Sequence, residues 1–455
     1  MFRFCYGQPH RKNGTIEVVP KTVAKAIFGF HTIATLIVFT IFMKFRSRFS
    51  FAQFLLGSGL FCYIPPTSKE LKEKIQIVSA TKNRKRRFIR YSDILCLPHF
   101  ITLSWIVDFT VFTLLIYSLS EIFCFIFPDS VDINVSIVWL LLAIGFLLQA
   151  LANMVVTFFS GEKLEAERNL MISFAAVFFL FSMIFMVFGE RFFDVTINKA
   201  YESFINSTSE FFTAVDFSDN LQKRSPILLF VSFSVMFAAM SSMLVFPNFR
   251  YARMYTNVLN DATPGYKLIY HSVFLLQIFP LILFTNPVRN YLLNGPRIRL
   301  TEEELASLRI ISTVISTLVR VAFYRSHLQS HLNLAKKSLE KLHTQAGNIN
   351  NNELQQLVYR YLSYLNVAAL QYFIPALLPL FVVLLLKTLG DYSWLGTQHS
   401  YAMITRDKKS LASLRLLFNK TVQRGLWSLC LIITLLVNIS LSTIGVIYNS
   451  YFDAS

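Results

Sequence analysis

Long apolar stretches with almost no charge determine what this chain can fold into. Several of them reach about 18 residues or more, the length at which a helix can cross the hydrocarbon core of a membrane. Of the 455 residues 54% are hydrophobic, including 46 Phe, which is more apolar surface than a soluble domain of this size can bury. The sequence therefore predicts an all-α polytopic membrane helix bundle of about nine spans, within a range of about 8–10, with amphipathic helices on its surface.

Charge and polarity divide the chain into segments. We predict a polar N-terminal segment (1–21), a first apolar span or signal-anchor (22–43), a basic cytosolic segment (44–102), a transmembrane bundle (103–389), a polar connection (390–424) and a last span with a short tail (425–455). The run at 22–43 follows basic residues, as the core of a signal peptide would. However, Lys44, Arg46 and Arg48 come directly after it and no small-residue cleavage site is evident, which favours a retained anchor.

The formal net charge of +17 comes from basic residues that are dispersed between the apolar runs. Dispersed charge of this kind indicates orientation in the membrane and contact with anionic lipid, not binding of nucleic acid. A cytosolic 44–102 segment places 325–360 inside, and it places the N-terminus and 390–424 outside. Pro375 and Pro379 lie in one long apolar run, which is either a single kinked helix or a re-entrant pair that would return 390–424 to the inside.

The segment 325–343 has the pattern of an amphipathic helix on the cytosolic side. Its apolar residues recur in alternating steps of four and three from Leu328 to Leu342. His327 and His331 lie one turn apart, a spacing that can hold a metal ion, but no adjacent carboxylate or cysteine completes a site. We therefore expect surface histidines and no metal. We also expect a cytosolic contact surface, formed together with 248–258, that includes Arg325, His327, Gln329, Asn333 and Lys337.

Two charged residues lie inside predicted spans, where each is costly alone. Arg320 would cost about 2.5–3.5 kcal/mol at a helix centre unless it is paired or hydrated. We expect Asp108 to be its partner in an ion pair that faces the bundle interior and either clamps the helix register or acts as a gate or ion sensor. The other polar residues expected inside the membrane are Glu121, at the interface or in a water-filled cleft, Gln149, Asn153, and Lys387, which would snorkel to the headgroups.

Sequence motifs predict glycosylation but no catalysis. Asn13 and Asn206 begin sequons in connections predicted outside, whereas the sequon at Asn438 lies within a span and cannot be reached. The five cysteines are scattered without a CxxC pair, so neither a disulfide framework nor a zinc site is predicted. The sequence contains no Gly-rich phosphate loop, no HExxH or GxSxG motif and no cluster of acids with histidines. We therefore expect no enzymatic activity and no cofactor.

Six stretches of the chain resemble the transmembrane protein 161 family. They are WIVDFTV (105–111), INVSIVWLLL (133–142), FPNFRYARM (246–254), RSHLQSHLNLAKK (325–337), ALQYFIP (369–375) and LLLKTLGDYSW (384–394). They follow the family's order and span most of the chain. The resemblance implies a multi-pass membrane protein without established catalytic activity, from a family linked to restraint of ion currents in excitable tissue and to tolerance of oxidative stress.

These expectations combine into a functional hypothesis with one alternative. The chain would be a modulator or accessory subunit of ion-handling machinery in the plasma membrane or an endomembrane, with membrane lipid and ion channels or other membrane proteins as partners. The alternative is an ion channel or transporter in its own right, with Asp108, Glu121 and Arg320 along its path. Neither an inverted repeat nor a TVGYG-like filter is visible in the sequence to favour a pore.

Overall fold

The computed structural model of the protein describes residues 30–46, 48–57, 59–63, 86–127, 134–160, 165–214, 225–296, 299–344, 351–395 and 419–452, which lie mostly in helices. In chain order these are α1 (Phe30–Arg46), α2 (Phe51–Gly57), α3 (Tyr91–Leu95), α4 (Phe100–Ile126), α5 (Ser136–Ser160), α6 (Glu165–Phe192), α7 (Ile197–Ala214), α8 (Ile227–Met243), α9 (Val245–Asp261), α10 (Pro264–Leu276), α11 (Ile278–Leu283), α12 (Asn286–Asn294), α13 (Glu302–Ala322), α14 (Tyr324–Thr344), α15 (Asn351–Ser363), α16 (Leu365–Leu389) and α17 (Lys420–Phe452). Between α2 and α3 lie two short antiparallel strands, β1 (Phe61–Tyr63) and β2 (Arg86–Phe88).

Eight stretches of the described chain are long and apolar enough to cross a membrane. They are Phe100–Ile126, Ser136–Thr157, Glu165–Phe192, Ile227–Asp261, Pro264–Leu283, Glu302–Ala322, Asn352–Leu389 and Lys420–Tyr451. The predicted all-α polytopic bundle is confirmed, with a count at the lower end of the expected range. The helix α1 has 17 residues. Since 1–29 lies outside the described residues, the polar N-terminal segment and the retained anchor at 22–43 stay predictions.

The outer surface of these spans is apolar. Large hydrophobic side chains such as Phe125, Leu228 and Leu268 are 80%, 79% and 71% exposed, which would be unfavourable in water. In a membrane the same side chains face lipid tails, where exposure of apolar surface carries no penalty. The exposed hydrophobic residues therefore fit a bundle surrounded by hydrocarbon.

The proline-containing helix α16 lies at the centre of the bundle. It runs without a break from Leu365 to Leu389 with Pro375 and Pro379 inside it, so this run is one helix and not a re-entrant pair. It packs against α4, α5, α9, α13 and α17, and the most apolar 18-residue window of its span is fully buried. A helix that is apolar on all sides suits such a central place, because each of its faces can pack against another helix.

The connections of the described bundle gather at two opposite ends. At the first, which we call the sheet end, the Gln329 side chain of α14 bonds the backbone of Phe61 in β1. At the second, the Trp394 end, Ser307 near the start of α13 donates to the carbonyl of Ser393. Since α13 runs from the Trp394 end to the sheet end, α14 and the residues directly after α16 lie at opposite ends. The assignment of the sheet end to the cytosol stays a prediction.

Two glycines allow α17 to pack closely on its neighbours. A Cβ atom at Gly425 would lie 2.6 Å from the Cβ of Ala200 in α7, and one at Gly445 would lie 2.7 Å from the Cβ of Ala252 in α9. Both distances are too short for two carbon atoms that are not bonded. Small residues at helix contacts are a common means of close association in membranes, and they hold α7 and α9 against α17 here.

Candidate functional site

The carboxylate of Asp108, near the start of α4, accepts hydrogen bonds from four surrounding groups. The residue is buried, with 1% exposure. The donors are Arg46 Nε at 3.2 Å, Ser50 Oγ at 3.1 Å, the backbone amide of Phe51 at 2.8 Å and Ser104 Oγ at 3.1 Å. Because Phe51 is the first residue of α2, the carboxylate also faces the positive end of that helix. Asp108 therefore joins α1, α2 and α4.

The expected ion pair between Asp108 and Arg320 is not formed. Arg46 is the cation that pairs with Asp108, although it lies 62 residues earlier in the chain. Its guanidinium carbon lies 3.8 Å from the ring centroid of Trp105. The sequence offered one signal for this partner, because Arg46 comes at the end of an apolar run. In the sequence this position indicates only a retained anchor, because hydropathy does not show which residues at the end of an apolar run pack inside the bundle.

Arg320, near the end of α13, is buried among aromatic rings with 3% exposure. Its Nη1 donates to Gln277 Oε1 at 3.0 Å. Its guanidinium carbon lies 3.9 Å from the ring centroid of Tyr251 and 5.7 Å from that of Tyr372. The Nε and Nη2 atoms are buried, and no atom of the described chain accepts a hydrogen bond from them. Arg320 thus carries a buried positive charge that contacts rings and one amide.

Both histidines of α14 are buried, so the expectation of surface histidines is wrong. His327 is 1% exposed and His331 is 3% exposed. The Nδ1–H of His327 donates to the carbonyl of Phe323 at 2.9 Å, and its ring stacks on Tyr251 with centroids 5.5 Å apart. Burial, with a smaller effect of nearby guanidinium charges, lowers the pKa of each imidazole to about 4. Both rings are therefore neutral near pH 7.

The expected contact surface on α14 is mostly an internal packing surface. Three of its polar residues bond other parts of the chain: Gln329 accepts from the amide of Phe61 at 2.9 Å, Asn333 donates to Asp261 at 3.3 Å and Lys337 donates to Asn257 at 3.1 Å. His327 is buried, and most of 248–258 is buried as well. Arg325 remains exposed. The helix is amphipathic, but its polar side meets α9, α15 and β1 and contributes little to an outer surface.

Lys387 and Glu121 form an ion pair at the Trp394 end. Lys387 is 5% exposed, so it does not snorkel to the headgroups as expected. Its Nζ bonds the carboxylate of Glu121, and Trp394 Nε1 donates to the same carboxylate at 3.0 Å. The ammonium also lies 5.4 Å from the ring centroid of Trp394. Glu121 is therefore bound by two donors and is not a free carboxylate in a cleft.

The remaining predicted residues lie away from these clusters. Gln149 and Asn153 are exposed on α5, so they do not line an interior path. Asn206 is exposed on α7, where its glycosylation stays a prediction, and Asn13 lies outside the described residues. Asn438 is buried, in agreement with a sequon that cannot be reached. Within the described ranges, no group of three or more His, Cys, Asp or Glu side chains is arranged to hold a metal ion.

A buried polar network joins α9, α16 and α17, and sequence reasoning missed it. Asn248 Nδ2 donates to Asn438 Oδ1 at 3.0 Å, and Ser442 Oγ donates to Asn248 Oδ1 at 3.3 Å. Asn438 Nδ2 donates to the carbonyl of Pro375 at 2.9 Å. Pro379 has no N–H to bond that carbonyl one turn later, so Asn438 supplies the missing donor. Two prolines four positions apart were the available signal for a buried amide nearby.

Comparison with known proteins agrees with the resemblance noted in the sequence. The model of the family described as "predicted transmembrane protein 161AB" matches residues 26–92 and 85–453. Together these ranges include α1 to α17 and all the buried clusters described above. No solved structure matches the chain.

Proposed function

Because the chain belongs to the family described as predicted transmembrane protein 161AB, we propose that it is a non-enzymatic modulator or accessory subunit of ion-handling machinery. It is an integral, multi-pass membrane protein. Its action would be to bind another membrane protein, such as an ion channel, and change the current that the partner carries. The plasma membrane or an endomembrane is the proposed location, with membrane lipid as its surroundings.

One observation carries this proposal: the carboxylates of Asp108 and Glu121 are each bound by donors in a separate cluster. Asp108 and Glu121 both lie on α4, about 20 Å apart at a rise of 1.5 Å per residue. Each carboxylate is occupied by donors from its own neighbourhood. The fully buried Phe112 and Ile116 lie between them on the same helix. A conducting path needs polar groups that an ion can reach in succession, and these groups instead join helices in two separate clusters.

The same arrangement supports a non-catalytic role. A general base needs a carboxylate or imidazole that can reach a substrate. Asp108 is enclosed by four donors, and Glu121 is held by Lys387 and Trp394. His327 is buried beneath aromatic rings. These titratable groups hold helices together in the bundle, which is the role of a structural support.

A surface for the partner is available on α15. A groove of about 730 Å³ at the sheet end is lined by Tyr359, Arg360, Tyr364 and His99, among others. Tyr359 and Tyr364 are 54% and 46% exposed. Tyr and Arg are among the residue types that contribute most to binding energy at protein interfaces. We assign partner contact to this groove, since the polar side of α14 is used within the chain.

The alternative, an ion channel or transporter in its own right, draws support from Arg320. Its buried guanidinium has two N–H groups without an acceptor in the described chain. Unpaired intramembrane charge often marks an ion pathway. One isolated cation near the end of α13 does not make a path, however, and Asp108 and Glu121 lie in separate clusters. The accessory role therefore accounts for more of the structure.

Voltage-clamp recording tests the accessory role in cells from which the chain has been removed. Restoring the native chain should change the amplitude of an endogenous current, and the double variant Tyr359→Ala/Arg360→Ala should fail to do so while reaching the same membrane at the same level. Glu353→Ala, on the exposed first turn of the same helix, is the matched control and should act as the native chain does. Currents that are unchanged by removal and return of the chain would contradict the proposal.

A further inference from the structure

Two amide side chains of α5 face away from the bundle at the depth of the membrane interior. Gln149 and Asn153 are both exposed. At a rise of 1.5 Å per residue they lie about 4 Å and about 10 Å from the middle of the span Ser136–Thr157. The hydrocarbon core extends about 15 Å to either side of its centre. Both amides therefore project into hydrocarbon, where an amide without a hydrogen bond is costly.

Within the described ranges, neither amide side chain takes part in a hydrogen bond. Other exposed polar side chains on the spans bond their own helix. Ser118, Ser173 and Ser232 each donate to the carbonyl four residues earlier, at distances of 2.8 Å, 2.9 Å and 2.8 Å. A hydroxyl satisfied in this way tolerates lipid, whereas a free amide presents two N–H donors and an acceptor oxygen. Gln149 and Asn153 therefore need a partner that reaches α5 within the membrane.

Gln149 lies in the middle of a helix face that we call the Gln149 face. Four of its residues, Val138, Gly145, Gln149 and Val156, lie within about 40° of one another around the helix axis. The two valines are 54% and 59% exposed, and a Cβ atom at Gly145 would meet nothing within 4 Å. The buried Leu147 lies on the opposite side of α5. The Gln149 face is thus open for the length of the span.

A second copy of the chain is the partner whose chemistry this face fits. Two copies inserted with the same orientation are related by a two-fold axis along the membrane normal, so each residue meets its counterpart at the same depth. An amide both donates and accepts, and Gln149 can therefore bond Gln149 of the second copy. A charged side chain would meet its own charge in such a contact. The helix α5 contains no Asp, Glu, Lys or Arg, so no like charges face each other.

We propose that the Gln149 face of α5 binds the same face of a second copy and makes the protein a two-fold symmetric dimer in the membrane. Together with Leu142, which is 42% exposed, the residues of this face recur in steps of four, three, four and seven. This spacing is typical of two helices that pack along their length. Gly145 allows the helices to approach closely one turn from Gln149, where the amides bond across the interface. The dimer is independent of the accessory role and leaves the α15 groove free.

Counting of photobleaching steps tests the dimer with the full-length protein, which carries one fluorophore per chain in phosphatidylcholine vesicles at a low, fixed ratio of protein to lipid. The native protein should bleach mainly in two steps. Gly145→Leu places a side chain where the second helix approaches, and it should bleach in one step. Gly265→Leu on α10 is the matched control, because a Cβ atom there also meets nothing within 4 Å, and it should keep two steps.

The variant Gln149→Leu separates the interface from the fold of each copy. It removes an amide from lipid, so the unfolding midpoint of the monomer at a high excess of detergent should not fall. The dissociation constant of the dimer in vesicles should nevertheless rise at least about fivefold, the factor that corresponds to a hydrogen bond of about 1 kcal/mol.

Cysteine cross-linking locates the interface. Oxidation by copper phenanthroline should link Val156→Cys into dimers above the level of the native chain. Val177→Cys, at a position on α6 that is 58% exposed, should not exceed that level. One-step bleaching of the native protein would overturn the proposal and leave the Gln149 face to lipid or to a different membrane protein. A dimer of native strength in Gly145→Leu or in Gln149→Leu would overturn it as well, since it would exclude this face as the interface.

Discussion

The side-chain amide of Asn438 donates a hydrogen bond to the carbonyl of Pro375 at 2.9 Å in the centre of the bundle. That carbonyl lacks its usual helical partner because Pro379, four residues later, has no N–H. In hydrocarbon an unbonded carbonyl costs several kcal/mol, so an amide from α17 makes Pro379 tolerable within one continuous helix. The contact thus connects the continuity of α16 with the position of α17.

Removal of the Asn438 amide should cost more stability when Pro379 is present than when it is replaced. Asn438→Leu should lower the free energy of unfolding by about 1–3 kcal/mol, because the Pro375 carbonyl loses its donor. In a Pro379→Ala background the new N–H bonds this carbonyl, and the loss should be smaller. Pro375→Ala provides the control, since it repairs a different carbonyl and should leave the cost of Asn438→Leu unchanged. Equal costs in all three backgrounds, measured by chemical unfolding in detergent, would refute the capping role.

The contribution of Asp108 to stability should depend on Arg46 and not on Arg320. Asp108→Asn removes the charge that faces Arg46 and the amide of Phe51, and it should lower the unfolding midpoint by at least several degrees. Arg46→Gln should cost less, because three donors to Asp108 remain. The charge swap with Arg320→Asp should not restore the midpoint of an Asp108→Arg variant. Restoration by that swap, read by thermal unfolding or surface expression, would show that the two residues are paired after all.

Replacement of one member of the Lys387–Glu121 pair should lower the free energy of unfolding more than replacement of both. Glu121→Gln leaves a buried ammonium without its counter-charge and should cost about 3–5 kcal/mol. The double variant Glu121→Gln/Lys387→Met removes both charges and should recover most of that loss. A double-mutant cycle on the free energy of unfolding provides the measurement. Independent, additive costs of the two changes would mean that the pair contributes nothing as a unit.

Acid should destabilise the protein through its buried histidines. The pKa of His327 and of His331 is lowered to about 4 in the folded state, against 6.5 for the free imidazole. A lowered histidine pKa gives stability that is present above pH 6.5 and is lost as the pH falls from 6.5 towards 4, by up to about 3 kcal/mol for each residue. The variant His327→Gln/His331→Gln should therefore unfold with a flatter pH dependence between pH 6.5 and pH 4. An identical slope in the native and variant proteins would contradict this.

Hydropathy predicted most of the spans because their solvent is hydrocarbon. The predicted bundle begins at 103 and α4 at Phe100, and the predicted last span begins at 425 and α17 at Lys420, so each start differs by a few residues. Composition alone could not show whether the apolar run with Pro375 and Pro379 is one helix or a re-entrant pair. The single helix is supported by the hydrogen bond from Asn438, and this contact exists only after the helices pack.

Pairing of charges was harder to predict because several basic residues could reach each carboxylate. Arg320 was a reasonable partner for Asp108 by depth, yet Arg46 approaches from α1 and Arg320 meets aromatic rings instead. The apolar spacing of α14 correctly indicated that Leu328 faces the core. It could not reveal that β1 and α15 cover the polar side, since this depends on contacts between segments distant in the chain.

Ion flux from the purified protein in liposomes tests the accessory role most directly. The experiment compares the native protein with Arg320→Gln and Asp108→Asn, each shown to be folded by its unfolding midpoint, and records flux and single-channel current with no partner present. We expect no current from any of the three, because the buried charges form separate clusters that join helices. A current from the native protein whose selectivity or gating changes in Arg320→Gln would contradict the account and make the chain a channel in its own right.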